Sequence, residues 1–229
     1  MLNKYLLPTS LLILLTLTSC STFPVTQEPT NWAEKTLSQL SLREKIGQMM
    51  VYRMNMRLKD VSSEKWKEIN SLIASDGIGT IHLWYGDVSS SIALMNKMQT
   101  LSRVPILFDA DIEYGLNQRF PSGTDLPPLM AIAATSDIEN AYQVGKIIAK
   151  EARAVGVHWN LSPVVDVNNN PLNPIINTRS FGEDPKSVSE FGISLMKGLQ
   201  DYGMLATAKH FPGHGDTETD SHSSLAMIP

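Results

Sequence analysis

The fold is indicated most directly by residues 204–216, Met204-Leu205-Ala206-Thr207-Ala208-Lys209-His210-Phe211-Pro212-Gly213-His214-Gly215-Asp216. The apolar run at residues 204–208 predicts a buried strand, and the residues after it predict a loop at the C-terminal end of that strand. The loop continues to His222, so residues 209–222 hold one Lys, three His and three acids. Acid/base groups that follow a strand end are typical of the catalytic face of an α/β barrel.

From Trp32 onward the chain alternates predicted helices and strands. Capping boxes at Ser41–Glu44 and Ser136–Glu139 begin two of the helices, and Asp184 with Pro185 begins another. The other predicted helices cover 64–75 and 92–101. The mainly apolar run 46–52 is expected to turn from the first capped helix into a first strand, and further strands are predicted at 79–84, 104–108, 157–161 and 205–208. Roughly five βα steps of this kind predict a parallel sheet with covering helices.

Two parallel architectures place polar clusters after the strands: a TIM (β/α)8 barrel and an open doubly wound sheet. The absence of a G-x-G-x-x-G motif after the first strand favours the barrel. A complete barrel typically needs about 250 residues. We therefore expect residues 32–229 to form an incomplete barrel of roughly the first five to six βα units.

Composition and charge narrow the class of protein. Hydrophobic residues make up 42% of the 229 residues and charged residues 18%, values typical of a packed globular domain. The net charge is −4, so we expect no nucleic-acid partner.

The N-terminus has the pattern of an export signal. Lys4 is its only charged residue before position 28, and a short apolar run ends at Leu17-Thr18-Ser19-Cys20. These four residues resemble a bacterial lipobox, and Cys20 is the only cysteine. We predict a signal peptide at 1–19, lipidation of Cys20, a tether at 20–31 and an exported, membrane-anchored lipoprotein. An Asp directly after the Cys would resemble an inner-membrane retention signal. This chain has Ser21 at that position, so we prefer an outer-membrane location. The alternative is an ordinary signal peptide with a chance Cys.

Asp220 and His222 form the first candidate catalytic pair. Residues i and i+2 of extended backbone project to the same side, so the carboxylate can contact one imidazole nitrogen. That contact orients the ring and leaves the other nitrogen for proton transfer. The alternative is a pair of solvated loop residues.

Lys209 and His210 leave the predicted strand together and are candidate pocket residues, or alternatively a surface Lys beside a hydrogen-bonded His. A zinc site at His210 and His214 competes with this assignment. The Pro-Gly pair between these histidines excludes the helix of an H-E-x-x-H motif, so we predict no metal.

Two further clusters follow earlier strands. Asp109, Asp111 and Glu113 concentrate three acids after a buried strand, where they could also serve as helix or turn caps. Arg179 lies in the long loop 162–185, where its planar guanidinium could bind hydroxyl or anionic groups. A surface position is the alternative for this Arg.

Taken together, these motifs resemble glycoside hydrolase family 3, in particular its β-N-acetylglucosaminidase branch. The similarity covers nearly all of residues 32–229. The motifs that carry it are Leu42-Arg43-Glu44-Lys45-Ile46-Gly47-Gln48-Met49, Asp111-x-Glu113-x-Gly115, residues 162–168 with Asn173-Pro174, residues 178–185, Lys209-His210-Phe211-Pro212-Gly213-His214-Gly215 and Asp220-Ser221-His222.

The resemblance implies a TIM barrel that hydrolyses terminal β-linked N-acetylglucosamine with retention, without a cofactor. It assigns Asp111, Arg179, Lys209 and His210 to the sugar hydroxyls and His222, oriented by Asp220, to general acid/base catalysis. The family's nucleophile is an Asp on a later strand that this chain does not reach, so we assign none. The partner is a carbohydrate substrate, and no protein partner is inferred.

Two alternatives remain beside this function. One is a β-glucosidase of the same family, and the other is a non-catalytic, sugar-binding lipoprotein. One residue also departs from the family pattern, because Tyr114 stands where a second Gly is usual.

Overall fold

The computed structural model describes residues 31–57 and 62–228. The predicted signal peptide, the lipidation site Cys20 and the predicted tether up to residue 30 lie outside the described residues. The described residues fall into two units, 31–38 and those from Gln39 onward, and each is described by itself.

Helices and strands alternate along the described residues as predicted. The helices are α1 Asn31–Gln39, α2 Leu42–Gln48, α3 Ser63–Ala74, α4 Val88–Leu101, α5 Leu129–Ala133, α6 Ile138–Ala154 and α7 Pro185–Asp201. Short 3-10 turns lie at Leu116–Gln118 and Asn177–Arg179. The strands are β1 Val51–Met54, β2 Thr80–Leu83, β3 Leu107–Ala110, β4 Trp159–Asn160 and β5 Leu205–Ala206.

The five described strands form one parallel sheet in the order β1-β2-β3-β4-β5. Each strand therefore pairs with the next strand along the chain. A doubly wound sheet reverses its strand order at a switch point, and a barrel adds its strands in sequence. The observed order is that of part of a (β/α)8 barrel, which confirms the predicted fold class.

Local capping chemistry explains most helix starts. Ser41 and Glu44 form the predicted capping box of α2, and Asp184 accepts a hydrogen bond from the Ser187 amide to cap α7. The predicted cap of α6 was wrong by one residue. The carboxylate of Asp137 accepts the Glu139 amide at 3.0 Å, while Ser136 adopts a positive φ of 57°.

Three strand predictions were too long, and the first of these is β4, which covers only Trp159–Asn160 of the predicted 157–161. β3 begins at Leu107 and not at Val104, because the Gln99 side chain of α4 binds both backbone polar groups of Ile106. β5 covers only two residues, and Leu205 is 52% exposed and not buried. Within the described residues β5 pairs only with β4, so its other edge has no strand to cover it.

The most extensive helix–helix contact among the described residues joins α6 to α7 and includes two glycines. A methyl group added at Gly198 would lie 2.2 Å from the Tyr142 carbonyl oxygen, and one at Gly145 would lie 2.3 Å from that of Leu195. Both obstacles are backbone atoms, which cannot rotate away as a side chain would. The small size of these two residues therefore sets the distance between the helices.

Gly198→Ala should lower the free energy of unfolding by about 1–3 kcal/mol, because the helices must separate to admit the methyl group. The measurement is urea denaturation followed by circular dichroism. Lys197→Ala, at the neighbouring exposed position of α7, is the control and should change the value by less than about 0.5 kcal/mol. Equal effects of the two substitutions would contradict this account of the packing.

Candidate active site

A pocket of about 400 Å³ lies beyond the C-terminal ends of the strands, where the sequence predicted a site. Five of the six candidate functional residues line it, namely Asp111, Arg179, Lys209, His210 and His222. The sixth, Asp220, contacts His222. The remaining lining residues are Trp84, Glu113, Tyr114, Gln118, Arg119, Ile175, His214 and Ser221.

The floor of the pocket is a network of opposite charges. Lys209 Nζ lies 2.8 Å from Asp111 Oδ1 and 2.7 Å from Glu113 Oε1. Arg179 donates from Nε and Nη2 to the two oxygens of Glu113, each at 2.9 Å, in a bidentate pair. Carboxylates from the loop after β3 thus meet cations from the loop after β5 and from the turn before α7.

This network determines the charge states of its acids. Burial raises the pKa of Glu113, but the hydrogen bonds from Arg179 and the charge of Lys209 outweigh it and lower the pKa to about 2. Burial likewise raises the pKa of Asp111. The opposing effect of Lys209, followed by those of His82 and Arg119, is larger, so this pKa is also lowered overall. Both groups are therefore carboxylates at neutral pH.

His210 and His214 are held by one buried carboxylate. Asp166 Oδ2 lies 2.6 Å from His210 Nδ1, and Asp166 Oδ1 accepts the His214 amide at 2.7 Å. Burial raises the pKa of Asp166, but the hydrogen bonds from His210 and from the His214 amide lower it overall. The second ring nitrogen of His210 faces the pocket, 3.4 Å from Arg179 Nη2.

The predicted pair at Asp220 and His222 stands at the rim of the pocket. His222 Nδ1 lies 2.7 Å from Asp220 Oδ1, which also accepts the His222 amide at 2.9 Å. The amide hydrogen bond is the main reason that the pKa of Asp220 is lowered, and the bond to the ring adds to it. The His222 ring is 76% exposed, so it borders the pocket and meets solvent.

The loop that carries this pair is connected to the pocket floor. Ser221 Oγ lies 2.9 Å from His214 Nε2, and the His214 amide reaches Asp166. Asn173 donates from its side chain to the carbonyls of His214 and Thr217. The loop conformation around the pair is thus determined by contacts to several parts of the chain.

Sequence reasoning missed several residues of the site. Glu113 and Asp166 occurred in the motifs, but no role was assigned to either. Arg119 gave no signal at all, since it is a lone Arg in a loop. Its Nη2 lies 3.4 Å from Asp111 Oδ2, its guanidinium carbon is 4.1 Å from the centre of the Trp84 ring, and its buried Nε has no hydrogen-bond partner within the described part of the chain.

No group of three or more His, Cys, Asp or Glu side chains within residues 31–57 and 62–228 is arranged to hold a metal ion. At the predicted zinc alternative, the Nδ1 atoms of His210 and His214 are engaged by Asp166 and by Thr217.

Among the helices that the structure describes, none combines the length and the apolar character needed to cross a bilayer.

The sequential parallel sheet, with a polar pocket beyond the C-terminal ends of its strands, defines a barrel-type α/β domain. The family model for the glycosyl hydrolase family 3 N terminal domain matches residues 41–229. The chain therefore belongs to glycoside hydrolase family 3, and the resemblance found from the motifs is confirmed.

Several named proteins and solved structures are similar to the chain. A β-N-acetylglucosaminidase/β-glucosidase of Cellulomonas fimi is 33% identical over 191 residues, which are 83% of this chain and 33% of that protein. The solved β-N-acetylglucosaminidase of Paenibacillus sp. str. FPU-7 matches with 36% identity and a TM-score of 0.74, over 83% of this chain and 36% of its own. The solved β-glucoside phosphorylase BglX matches with 29% identity and a TM-score of 0.76, over 83% of this chain and 34% of its own. The chain thus spans about a third of the length of these relatives.

The Glu113 carboxylate should make stability depend on pH. Its folded pKa of about 2 lies below an unfolded value of about 4.3, so its contribution is complete above about pH 5 and is lost as the pH falls toward 2. Glu113→Gln should therefore cost on the order of 3 kcal/mol at pH 7 and less at pH 3, as measured by urea denaturation.

The control for this measurement is Glu190→Gln on the exposed face of α7, where the carboxylate has only a surface pairing with Lys186 at 3.9 Å. This variant should differ from the parent by less than about 1 kcal/mol at both pH values. A loss in Glu113→Gln that stays constant from pH 7 to pH 3 would show that the carboxylate's charge is not what stabilises the fold.

Proposed function

We propose that this protein hydrolyses terminal β-linked N-acetylglucosamine from glycans with retention of configuration. The observation that carries the proposal is the contact of His222 Nδ1 with Asp220 at the rim of a pocket whose floor holds Asp111, Arg179 and Lys209. Family membership supports hydrolysis of a glycoside, and relatives named for β-N-acetylglucosaminidase activity support the amino sugar.

Sugar binding is assigned to the charged floor. Asp111 accepts hydrogen bonds from sugar hydroxyls, while Arg179, Lys209 and His210 contribute N–H donors or a ring nitrogen. These groups already compensate one another, so a neutral sugar enters without leaving a buried charge unpaired. Trp84 and Tyr114 supply aromatic surface on the pocket wall.

Acid/base catalysis is assigned to His222. Asp220 occupies Nδ1, which leaves Nε2 to protonate the oxygen of the leaving group and later to accept a proton from water. Retention requires a carboxylate that attacks the anomeric carbon and forms a glycosyl-enzyme, and this step is not assigned to a residue of the chain. A neutral His beside that carboxylate adds no second negative charge during deglycosylation.

Two other activities are compatible with the same pocket. The Cellulomonas fimi relative is named for both β-N-acetylglucosaminidase and β-glucosidase, and a β-glucoside phosphorylase has a similar fold. Turnover of 4-nitrophenyl N-acetyl-β-glucosaminide and of the matching glucoside, each in phosphate and in phosphate-free buffer, distinguishes these cases. The absence of turnover together with measurable sugar binding would favour the non-catalytic alternative.

In the full-length protein, the effect of His222→Ala on activity should depend on the leaving group of the substrate. With an alkyl or sugar leaving group, kcat/KM should fall by about 10²–10⁴, because that oxygen needs a proton to depart. With a 2,4-dinitrophenyl leaving group, which departs without protonation, the glycosylation step should change by less than about tenfold. Steady-state and burst kinetics across the series measure both effects.

Ser224→Ala, an exposed substitution in the same loop, is the control and should retain the parent kinetics. Equal losses of His222→Ala across all leaving groups would remove His222 from the role of general acid.

We also propose that the protein is exported and anchored by a lipid on Cys20, on the evidence of the sequence alone. In cells that process lipoproteins, the parent should incorporate radiolabelled palmitate and partition into detergent. Cys20→Ser should abolish the label and leave the protein soluble or unprocessed, while Ser21→Ala serves as the control. Labelling of Cys20→Ser would disprove the anchor.

A further inference from the structure

β2 contains one titratable side chain in an otherwise apolar setting. All four of its residues are buried, and His82 is 9% exposed. Strands buried in parallel sheets are usually continuous runs of branched apolar residues. A buried polar group costs free energy unless it is hydrogen-bonded, so His82 requires partners that repay its burial.

Those partners are two carboxylates of the neighbouring strand region. His82 and Asp109 are register partners on β2 and β3, and His82 Nδ1 hydrogen-bonds Asp109 Oδ1. On its other side, His82 Nε2 lies 3.6 Å from Asp111 Oδ2. Asp109 is 2% exposed, and within the described part of the chain no other side chain pairs with its carboxylate.

We propose that His82 is a positioning residue for the sugar site, an imidazolium that connects buried Asp109 to Asp111 and holds Asp111 toward the pocket. Neither His82 nor Asp109 lines the pocket, so their effect on a ligand passes through Asp111. The inference rests on the proposed function, which assigns Asp111 to the sugar.

Donor and acceptor geometry supports the charged ring. A neutral imidazole has one donor and one acceptor nitrogen, and the acceptor would then face a carboxylate oxygen. With a proton on each nitrogen, both contacts become attractive. The cation also compensates Asp109, which would otherwise be an unpaired buried charge.

The surroundings of Asp111 show what His82 contributes. Lys209 binds Oδ1 at 2.8 Å, while Oδ2 is 3.4 Å from Arg119 Nη2 and 3.6 Å from His82 Nε2. Oδ2 thus lies at ion-pair distance from the Arg119 guanidinium and from the His82 ring, and removal of His82 leaves it Arg119 alone. Among the described residues, the one other ring near His82 is that of Trp84. The centres of the two rings are 5.9 Å apart.

The test is the substitution His82→Gln in the full-length protein. Glutamine keeps a donor for one carboxylate and removes the positive charge. We expect KM for the N-acetylglucosaminide and Kd for free N-acetylglucosamine to rise about tenfold, because one charge-assisted contact is lost. The value of kcat should change less than about threefold. Asp109→Asn, which is nearly isosteric, should raise the same two constants and serves if His82→Gln does not fold.

The matched control is His158→Gln. His158 is also partly buried beside the sheet, where its ring stacks on Phe108 and accepts the Phe108 amide. It has no carboxylate partner within the described residues, so its substitution should leave KM and Kd unchanged.

A second measurement is independent of turnover. Nitrogen-15 NMR of histidine-labelled protein should show protons on both ring nitrogens of His82 near neutral pH, with the signal assigned by its absence in His82→Gln. A neutral His82 ring would overturn the inference, as would unchanged sugar affinity in both folded variants. If the parent protein hydrolysed no glycoside, only the proposed function would be overturned. The protonation state of His82 and the Kd for N-acetylglucosamine can be measured without turnover and would still test the inference.

Discussion

The site depends on the mutual compensation of buried charges contributed by distant parts of the chain. Lys209 and Asp111 are 98 positions apart, and Arg179 and Glu113 are 66 apart. Removing such groups from water costs several kcal/mol each, and only good pairing geometry repays that cost. The loop after β3, the turn before α7 and the loop after β5 are therefore not free to move apart, because separation would leave a carboxylate or a cation buried and alone.

The same constraint explains which features could be predicted from sequence. Local rules were sufficient for Ser41 with Glu44 and for Asp184 with Pro185, since each cap is formed within three residues. They failed by one residue at Ser136, because Asp137 supplied a stronger acceptor to the same helix end. They also failed at Val104, where Gln99 of α4 takes the backbone groups that a longer β3 would have paired. Alternation of helices and strands gave the fold class, whereas the lengths of β3 and β5 depended on tertiary contacts.

Within the site, predictability followed sequence separation. The contact of Asp220 with His222 is between residues two apart, so spacing was enough to propose it. The pairing of Glu113 with Arg179 and the arrival of Arg119 beside Trp84 gave no such signal, because no local pattern specifies a contact across the sheet. His82 was similarly hidden, since its partner Asp109 lies 27 positions away and becomes a neighbour only through the register of β2 on β3.

Three hydrogen-bonded histidine–carboxylate pairs among the described residues share one chemistry but differ in exposure. The side-chain exposures of His and Asp are 11% and 2% in the His82 pair, 35% and 0% in the His210 pair and 76% and 37% in the His222 pair. A proton shuttle must exchange with reactants and solvent, which only the exposed ring can do freely. A buried ring between two carboxylates is instead suited to a fixed charge, because losing a proton would leave one ring nitrogen as an acceptor that faces a carboxylate oxygen. The intermediate pair at His210 presents one ring nitrogen to the pocket while Asp166 holds the other, which suits a ligand contact. Under the proposed function, burial thus distinguishes the roles of the three pairs, with proton transfer at the rim of the pocket and fixed charges beneath the sugar.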